Sequence, residues 1–318
     1  MAGMSLLEVR DLVVKYATRQ GEVEALGGVT LSVNPGEVLG VVGESGSGKS
    51  TLGLAILRLL PRYARVERGQ VLYNGADLLK LGEEELRRIR GREISIVFQD
   101  PYSSLNPVMR IGDHFVELFE EHGYGYSREE ALRRAGDILE RMGVPRERLS
   151  DYPHQLSGGQ RQRVAIGLAL ALNPKLVVAD EITTALDALV EAQIMDLLRE
   201  VKKEYDTSIL FITHNMGLVA ELADRVAVMY AGKLVELGST GEVVGDPLHP
   251  YTKALLAAVP SIGGSREVKP IPGDPPDMRN PPRGCRFHPR CPFATEKCRA
   301  EEPVPRDRGG RIVACHYA

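Results

Sequence analysis

Gly43-Glu44-Ser45-Gly46-Ser47-Gly48-Lys49-Ser50-Thr51 lies between an apolar run, Val38–Val42, and a helix-like run, Ser50–Leu60. A glycine-rich turn from strand to helix is a phosphate cradle. Its glycines let successive N–H groups point inward, Lys49 can reach the β/γ phosphates, and the Ser50 hydroxyl can sit on Mg²⁺. The G-x4-G-K-[ST] pattern would arise by chance in a chain this long roughly 1 time in 100, before its flanks are demanded. An ordinary glycine loop is the competing reading, and the flanking strand and helix weigh against it.

Upstream, Leu6–Tyr16 and Val23–Val33 alternate apolar with polar residues around a polar loop, Ala17–Glu22, and predict an antiparallel β layer. Tyr16 is either a half-buried strand tyrosine or a ring for a base to stack on. Downstream, Asn74-Gly75 predicts a hairpin between Gln70–Tyr73 and Ala76–Leu79, and Glu83–Arg90 a short charged helix. The candidate strand Glu93–Phe98 ends at Gln99-Asp100-Pro101, where regular structure should break. Helical spacing then runs through Ile111–Glu121 and Arg128–Met142, predicting an all-helical insert.

Leu156-Ser157-Gly158-Gly159-Gln160 precedes the helix Arg161–Leu172 and resembles a second anion site at a helix start. The apolar strand Leu176–Ala179 delivers Asp180 and Glu181 at its carboxyl end, where open α/β sheets bind ligands, and suggests Mg²⁺ and water chemistry there. Asp187–Glu204 predicts an amphipathic helix, Ser208–Thr213 a buried strand ending at His214, and Arg225–Leu237 a closing hairpin around Ala231-Gly232. Singly, Glu181 and His214 read as a surface acid and a strand-end histidine. At the ends of two apolar strands beside a phosphate loop, they read as a site.

The 318 residues carry a net charge of −3 that hides an asymmetry: −7 over residues 1–260 and +4 over 261–318, where 10 of the 20 prolines also fall. No apolar run reaches the ~20 residues of a membrane span, and the expectation is a cytosolic chain with any membrane role through a partner. All four cysteines, Cys285, Cys291, Cys298 and Cys315, lie in this basic tail. In a reducing compartment they read as metal ligands rather than disulfides, in a segment too poor in apolar residues to hold itself by burial. Zinc sites usually pair ligands at two- to four-residue gaps, which C-x5-C-x6-C-x16-C fits poorly.

Taken together, Gly43–Thr51, Gln99, Leu156–Gln160, Leu176–Glu181, Ala185-Leu186-Asp187 and His214 resemble the ATP-binding cassette (ABC) ATPases in order and spacing. The resemblance spans about residues 5–245. It implies an α/β fold: a phosphate-loop core with a mostly parallel sheet, an antiparallel β layer and a helical insert at about 100–158. Residues 246–318 then form a small loop-rich module. Carried onto this sequence, it implies Tyr16 on adenine and Gly43, Glu44, Ser45, Gly46, Ser47, Gly48, Lys49, Ser50 and Thr51 on the phosphates of ATP. Ser50, Gln99 and Asp180 would serve Mg²⁺, Glu181 would polarise the attacking water, and His214 would hold the γ-phosphate. Ser157, Gly158, Gly159 and Gln160 would act in trans on a second subunit's nucleotide. One departure is Ile182, where the family usually has proline, which leaves the backbone of Glu181 less constrained. Ala188, Leu189 and Val190 also depart from the family pattern after Asp187.

Val97–Pro107, His249-Pro250-Tyr251-Thr252 and Gly284–Pro292 narrow the resemblance to the D-type ATPase subunit of dipeptide/oligopeptide importers. This implies an F-type ATPase partner, two membrane permease subunits, an extracytoplasmic substrate-binding protein and a peripheral position on the cytoplasmic face of the cell membrane. Relatives of such importers carry oligosaccharides or nickel. A soluble ABC ATPase acting on DNA or the ribosome would need a coiled coil, a second cassette or a basic face; none is present, and no nucleic-acid partner is expected. The all-cysteine set, together with this resemblance, favours a [4Fe–4S] cluster on Cys285, Cys291, Cys298 and Cys315, while His288 and His316 keep Zn²⁺ as the alternative.

Overall fold

Val38–Val42, the apolar run ahead of the phosphate loop, is a strand buried along its whole length. The structure, a computed structural model, describes residues 5–184, 186–259 and 270–318. The chain divides into two compact units, residues 1–80 with 210–318, and residues 81–209.

The first unit holds two sheets. One is antiparallel, in the order Gly21–Val33, Leu7–Thr18, Ala64–Tyr73, Ala76–Asp77. Its first hairpin is tighter than the sequence predicts, because pairing continues to Ala17↔Glu22 and Thr18↔Gly21 and leaves only Arg19 and Gln20 at the tip. Gly21, at φ 124, permits that turn. The strand predicted over Ala76–Leu79 stops at Asp77, whose carboxylate accepts the Leu79 N–H at 3.2 Å and turns the chain. In the second sheet, Val38–Val42 pairs in parallel with Arg225–Tyr230, from Leu39↔Arg225 to Val42↔Val228. Arg225–Tyr230 continues antiparallel into Lys233–Ser239. That hairpin does not close the sheet: Ile312–Val313 and then Arg306–Asp307, from the far end of the chain, add beyond it.

The second unit pairs Ile94–Val97 in parallel with Leu176–Asp180. The helices Ile111–Glu121 and Arg128–Arg141 stand where their spacing predicts them, with Ile111, Phe115 and Phe119 of one and Ala131, Ala135 and Leu139 of the other buried. Ser127 caps the second by accepting the Glu130 N–H. Gly158–Leu170 and Ala188–Tyr205 complete this unit's longer helices.

Glu236 explains how the tail is fixed in the first unit. Its side chain is fully buried, and it accepts the N–H groups of Leu248 and His249, both at 2.9 Å, and the Arg311 guanidinium at 2.6 Å. A buried carboxylate so partnered is satisfied, and losing any one partner would be costly. His249 then caps the helix Pro250–Ala257, its Nδ1 accepting the Tyr251 N–H at 3.0 Å. Burial pushes the His249 imidazole down from the ordinary 6.5 to about 4, against the opposing pull of Glu236.

A depressed histidine favours folding while it is neutral. Its contribution is therefore full above the unfolded value and is lost as pH falls from 6.5 toward 4. The expected loss between about pH 7.5 and about pH 5 is about 2 kcal/mol. Urea unfolding at the two pH values, on wild type and on His249→Asn, which keeps a capping acceptor but does not titrate, checks it. An equally steep loss in the variant would assign the effect to other groups.

Candidate functional site

The phosphate loop is shaped by three glycines for different reasons. A Cβ at Gly43 would lie 2.1 Å from the Met229 carbonyl oxygen, so this position is closed to any side chain. Gly46, at φ 77, has open space around it and is required by its backbone conformation alone. Gly48 combines both, with φ 98 and a would-be Cβ 2.4 Å from the Ala25 oxygen. The helix Lys49–Ile56 starts there and is shorter than the run predicted to Leu60, since Arg58 turns left-handed, at φ 52, ahead of Pro61.

Lys49 is buried, and its Nζ donates to the Gly43 and Glu44 carbonyls at 2.8 and 3.0 Å. The ammonium thus lies across the mouth of its own loop, where a phosphate could exchange for those carbonyls. The Ser47 hydroxyl is buried and has no hydrogen-bond partner among the described residues. Tyr16 lies on the neighbouring strand with its hydroxyl 3.1 Å from Thr51 Oγ1. Its ring is 5.8 Å from that of Tyr63, which is 61% exposed. Tyr63 makes an aromatic pair at the loop's flank that no sequence pattern had marked.

In the second unit, Asp180 ends the strand Leu176–Asp180, buried, and Glu181 follows in the left-handed region at φ 47. Such a conformation in a residue other than glycine is strained and persists where surroundings hold it. Three contacts do so. Thr184 donates its N–H to the Glu181 carbonyl at 3.1 Å and its hydroxyl to Glu181 Oε2 at 3.2 Å, and Gln99 Nε2 donates to the same oxygen at 3.3 Å. Gln99 and Glu181, 82 residues apart, are therefore one group. The expectation that Ile182 loosens this backbone meets a compensating device: Ile182 is buried, and the turn through Thr184 supplies the constraint.

Leu156–Gln160, where the sequence predicts an anion site, forms a helix start. Ser157 caps Gly158–Leu170 by accepting the Gln160 N–H at 3.2 Å, and Gln160 Oε1 accepts the Ser157 N–H at 3.1 Å. Gly159 is required within the chain, because a Cβ there would sit 2.8 Å from Val190 Cγ1. A Cβ at Gly158 would meet nothing within 4 Å. Asp187 caps the helix Ala188–Tyr205. Ala185 lies outside the described residues. His214 is exposed directly after the strand Ser208–Thr213.

The tail reaches the phosphate loop. The Tyr251 hydroxyl accepts the Glu44 N–H at 2.9 Å, and Arg290 donates to both carboxylate oxygens of Glu44 at 2.6 and 3.0 Å. Tyr230, Tyr251 and Phe287 pack ring against ring beside these contacts, with centroids 4.6 to 5.3 Å apart. The four cysteines are free thiols that line a single cavity of about 310 Å³ with Phe287 and Phe293. Burial, reinforced by the other thiols, pushes Cys285 up to about 11, and burial likewise raises Cys291. Among the described residues, no group of three or more His, Cys, Asp or Glu is arranged to hold a metal ion.

A family model described as ABC transporter matches residues 26–184, and one described as oligopeptide/dipeptide transporter, C-terminal region, matches residues 235–298. The oligopeptide transport ATP-binding protein OppD of Bacillus subtilis is 48% identical over 94% of this chain and 84% of its own. The dipeptide transport ATP-binding protein DppD of Caldanaerobacter subterraneus is 46% identical over 98% of this chain and 96% of its own. Among solved structures, the ATP-binding cassette MJ0796, in a dimeric post-hydrolysis state bound to ADP and Pi, matches with TM-score 0.67 and 29% identity. That match covers 74% of this chain and 98% of MJ0796. With a phosphate loop, a capped glycine helix start and an acid pair at a strand end, each where the motifs require it, the chain belongs to the ABC transporter family, among the ATP-binding proteins of oligopeptide and dipeptide transport.

Proposed function

We propose that this ATPase powers peptide uptake as the D-type subunit of a hetero-assembled importer. It pairs with an F-type cassette on the cytoplasmic face of the membrane, beneath two permease subunits fed by an extracytoplasmic substrate-binding protein. The observation that carries this is the match of residues 235–298 to the oligopeptide/dipeptide transporter C-terminal region. Among the described residues no helix is long and apolar enough to cross a membrane, and the attachment proposed is through the permeases. In this reading residues 1–245 are the cassette, the helical insert at about 100–158 meets the permeases, and 246–318 is the family-specific module.

Within the cassette, Tyr16 stacks on adenine while the N–H groups of Gly43–Thr51 and the Lys49 ammonium hold the phosphates. Ser50, Gln99 and Asp180 offer hydroxyl, amide and carboxylate oxygens, the donor set of a hard cation such as Mg²⁺, which when bound neutralises phosphate charge. Glu181 polarises the attacking water, and Gln99, bonded to it, reports to Glu181 whether nucleotide is bound. His214 holds the γ-phosphate. Ser157, Gly158, Gly159 and Gln160 complete the partner's site, so each site is incomplete until two cassettes meet.

For the cysteines we propose a [4Fe–4S] cluster on Cys285, Cys291, Cys298 and Cys315 with a structural role. Support comes from four unpaired thiols around one partly apolar cavity. Zinc sites usually pair ligands at two- to four-residue gaps, and against the five-, six- and sixteen-residue gaps here zinc is the weaker fit. When bound, a cluster would cross-link the module. One experiment tests both proposals: anaerobic affinity purification of the chain from its native membranes, with mass spectrometry of subunits and retained ligand and assays for iron and sulfide. Two permeases, a second cassette, bound peptide, and iron equal to sulfide are expected. Retained oligosaccharide or nickel would overturn the peptide assignment, and stoichiometric zinc without sulfide would overturn the cluster.

A further inference from the structure

The phosphate loop has a partner outside the cassette motifs. Glu44, the second residue of Gly43–Thr51, is held on two sides by the tail. The Tyr251 hydroxyl accepts its N–H at 2.9 Å, and the Arg290 guanidinium forks onto its carboxylate. Arg290 is not a surface arm that happens to reach this far. Its side chain is 4% exposed, its Nε donates to the Pro272 carbonyl at 2.9 Å, and an Nη donates to the Tyr230 hydroxyl at 3.3 Å. Its guanidinium carbon also lies 5.7 Å from the centroid of the Tyr230 ring, which packs on Tyr251 and Phe287. All of the guanidinium's edges are therefore committed to one geometry, and that geometry ends on the loop.

The loop is otherwise short of such restraints at this point. A Cβ at Gly46 would meet nothing within 4 Å, Ser47 Oγ has no partner among the described residues, and the Glu44 carbonyl accepts from Lys49 Nζ at 3.0 Å and from the Ser47 N–H at 3.2 Å. When a phosphate draws the Lys49 ammonium away, Glu44 loses that bond and keeps one bond within the loop, from the Ser47 N–H, and those to Tyr251 and Arg290 of the tail. A bidentate, charge-assisted pair fixes direction as well as distance, which a lysine at 290 could not.

We propose that Arg290, through Glu44, is a positioning residue for the phosphate loop: the C-terminal module sets the conformation in which the loop meets ATP. The module is then part of the nucleotide site. Its contribution is to affinity rather than to the chemical step, because Arg290 bonds the outer edge of the loop.

The test is steady-state hydrolysis by the assembled transporter and ATP binding by the full chain, for Arg290→Lys, Glu44→Gln and the double variant. A rise in KM and Kd of about tenfold is expected for each single variant, with kcat within about twofold, and no further loss in the double variant. A merely structural tail contact would instead lower the folded fraction, and with it the apparent kcat, at constant KM. Kd within about twofold of wild type in both single variants, or additive losses in the double, would overturn the latch. Because the proposal rests on Gly43–Thr51 binding ATP, Lys49→Ala is measured alongside. If it loses ATP while Arg290→Lys does not, the latch alone fails; if it binds ATP like wild type, the loop assignment fails and the latch with it.

Discussion

Glu181→Gln is expected to reduce ATP hydrolysis by the assembled transporter by on the order of 10² to 10⁴-fold, while ATP binding stays within about twofold. The substitution keeps the contacts with Thr184 and Gln99. A glutamine at 181 can present an amide oxygen to Thr184 Oγ1 and Gln99 Nε2, which now donate to Oε2 at 3.2 and 3.3 Å. The left-handed φ of 47 is held by the Thr184 N–H and does not depend on the charge. What is lost is the basicity that orients and polarises water, and phosphoryl transfer depends on an oriented nucleophile. The measurement is single-turnover and steady-state hydrolysis beside a binding isotherm for ATP. Turnover near the wild-type rate would mean that Glu181 is not the base, or that the partner's site carries the cycle.

Much of this arrangement is local in sequence, and that part was readable. The phosphate loop, the buried strands Val38–Val42 and Leu176–Asp180, and the paired helices of the insert follow from glycine spacing, unbroken apolar runs and helical periodicity. What escaped is long-range or too short to carry a period. Ile312–Val313 is two residues long, and only its pairing with Glu236 and Leu237 on one side and Arg306 and Asp307 on the other makes it a strand. Arg290 and Glu44 are 246 residues apart, and a lone arginine in a basic tail resembles any other. Thr184 bears on the site only because Glu181 is left-handed, which no residue type announces. His249-Pro250-Tyr251 is legible in the sequence only as a family resemblance, and its physical meaning lies in the fold. The histidine caps, the proline opens the helix, and the tyrosine reaches the Glu44 N–H.

Gly158→Asp is expected to cut hydrolysis by the assembled transporter by on the order of 10²-fold or more, without destabilising the chain that carries it. The two halves of that expectation rest on different observations. Within the chain there is room, since a Cβ at Gly158 meets nothing within 4 Å, whereas one at Gly159 would strike Val190. An acid at the first position of the helix Gly158–Leu170 also faces the helix's positive end, which should stabilise by about 0.3 to 1 kcal/mol. The glycine therefore has no reason inside this chain. If the open space is filled in trans by the partner's γ-phosphate, a carboxylate there sets negative charge against negative charge in a closed interface. Thermal unfolding of the isolated chain should then be unchanged or slightly raised, and its own ATP affinity unchanged, while hydrolysis falls only in the assembly. If hydrolysis by the assembled variant stays at the wild-type level, this helix start does not complete a partner's site. A fall in the isolated chain's stability would instead assign Gly158 a role within its own fold, which the open space around it argues against.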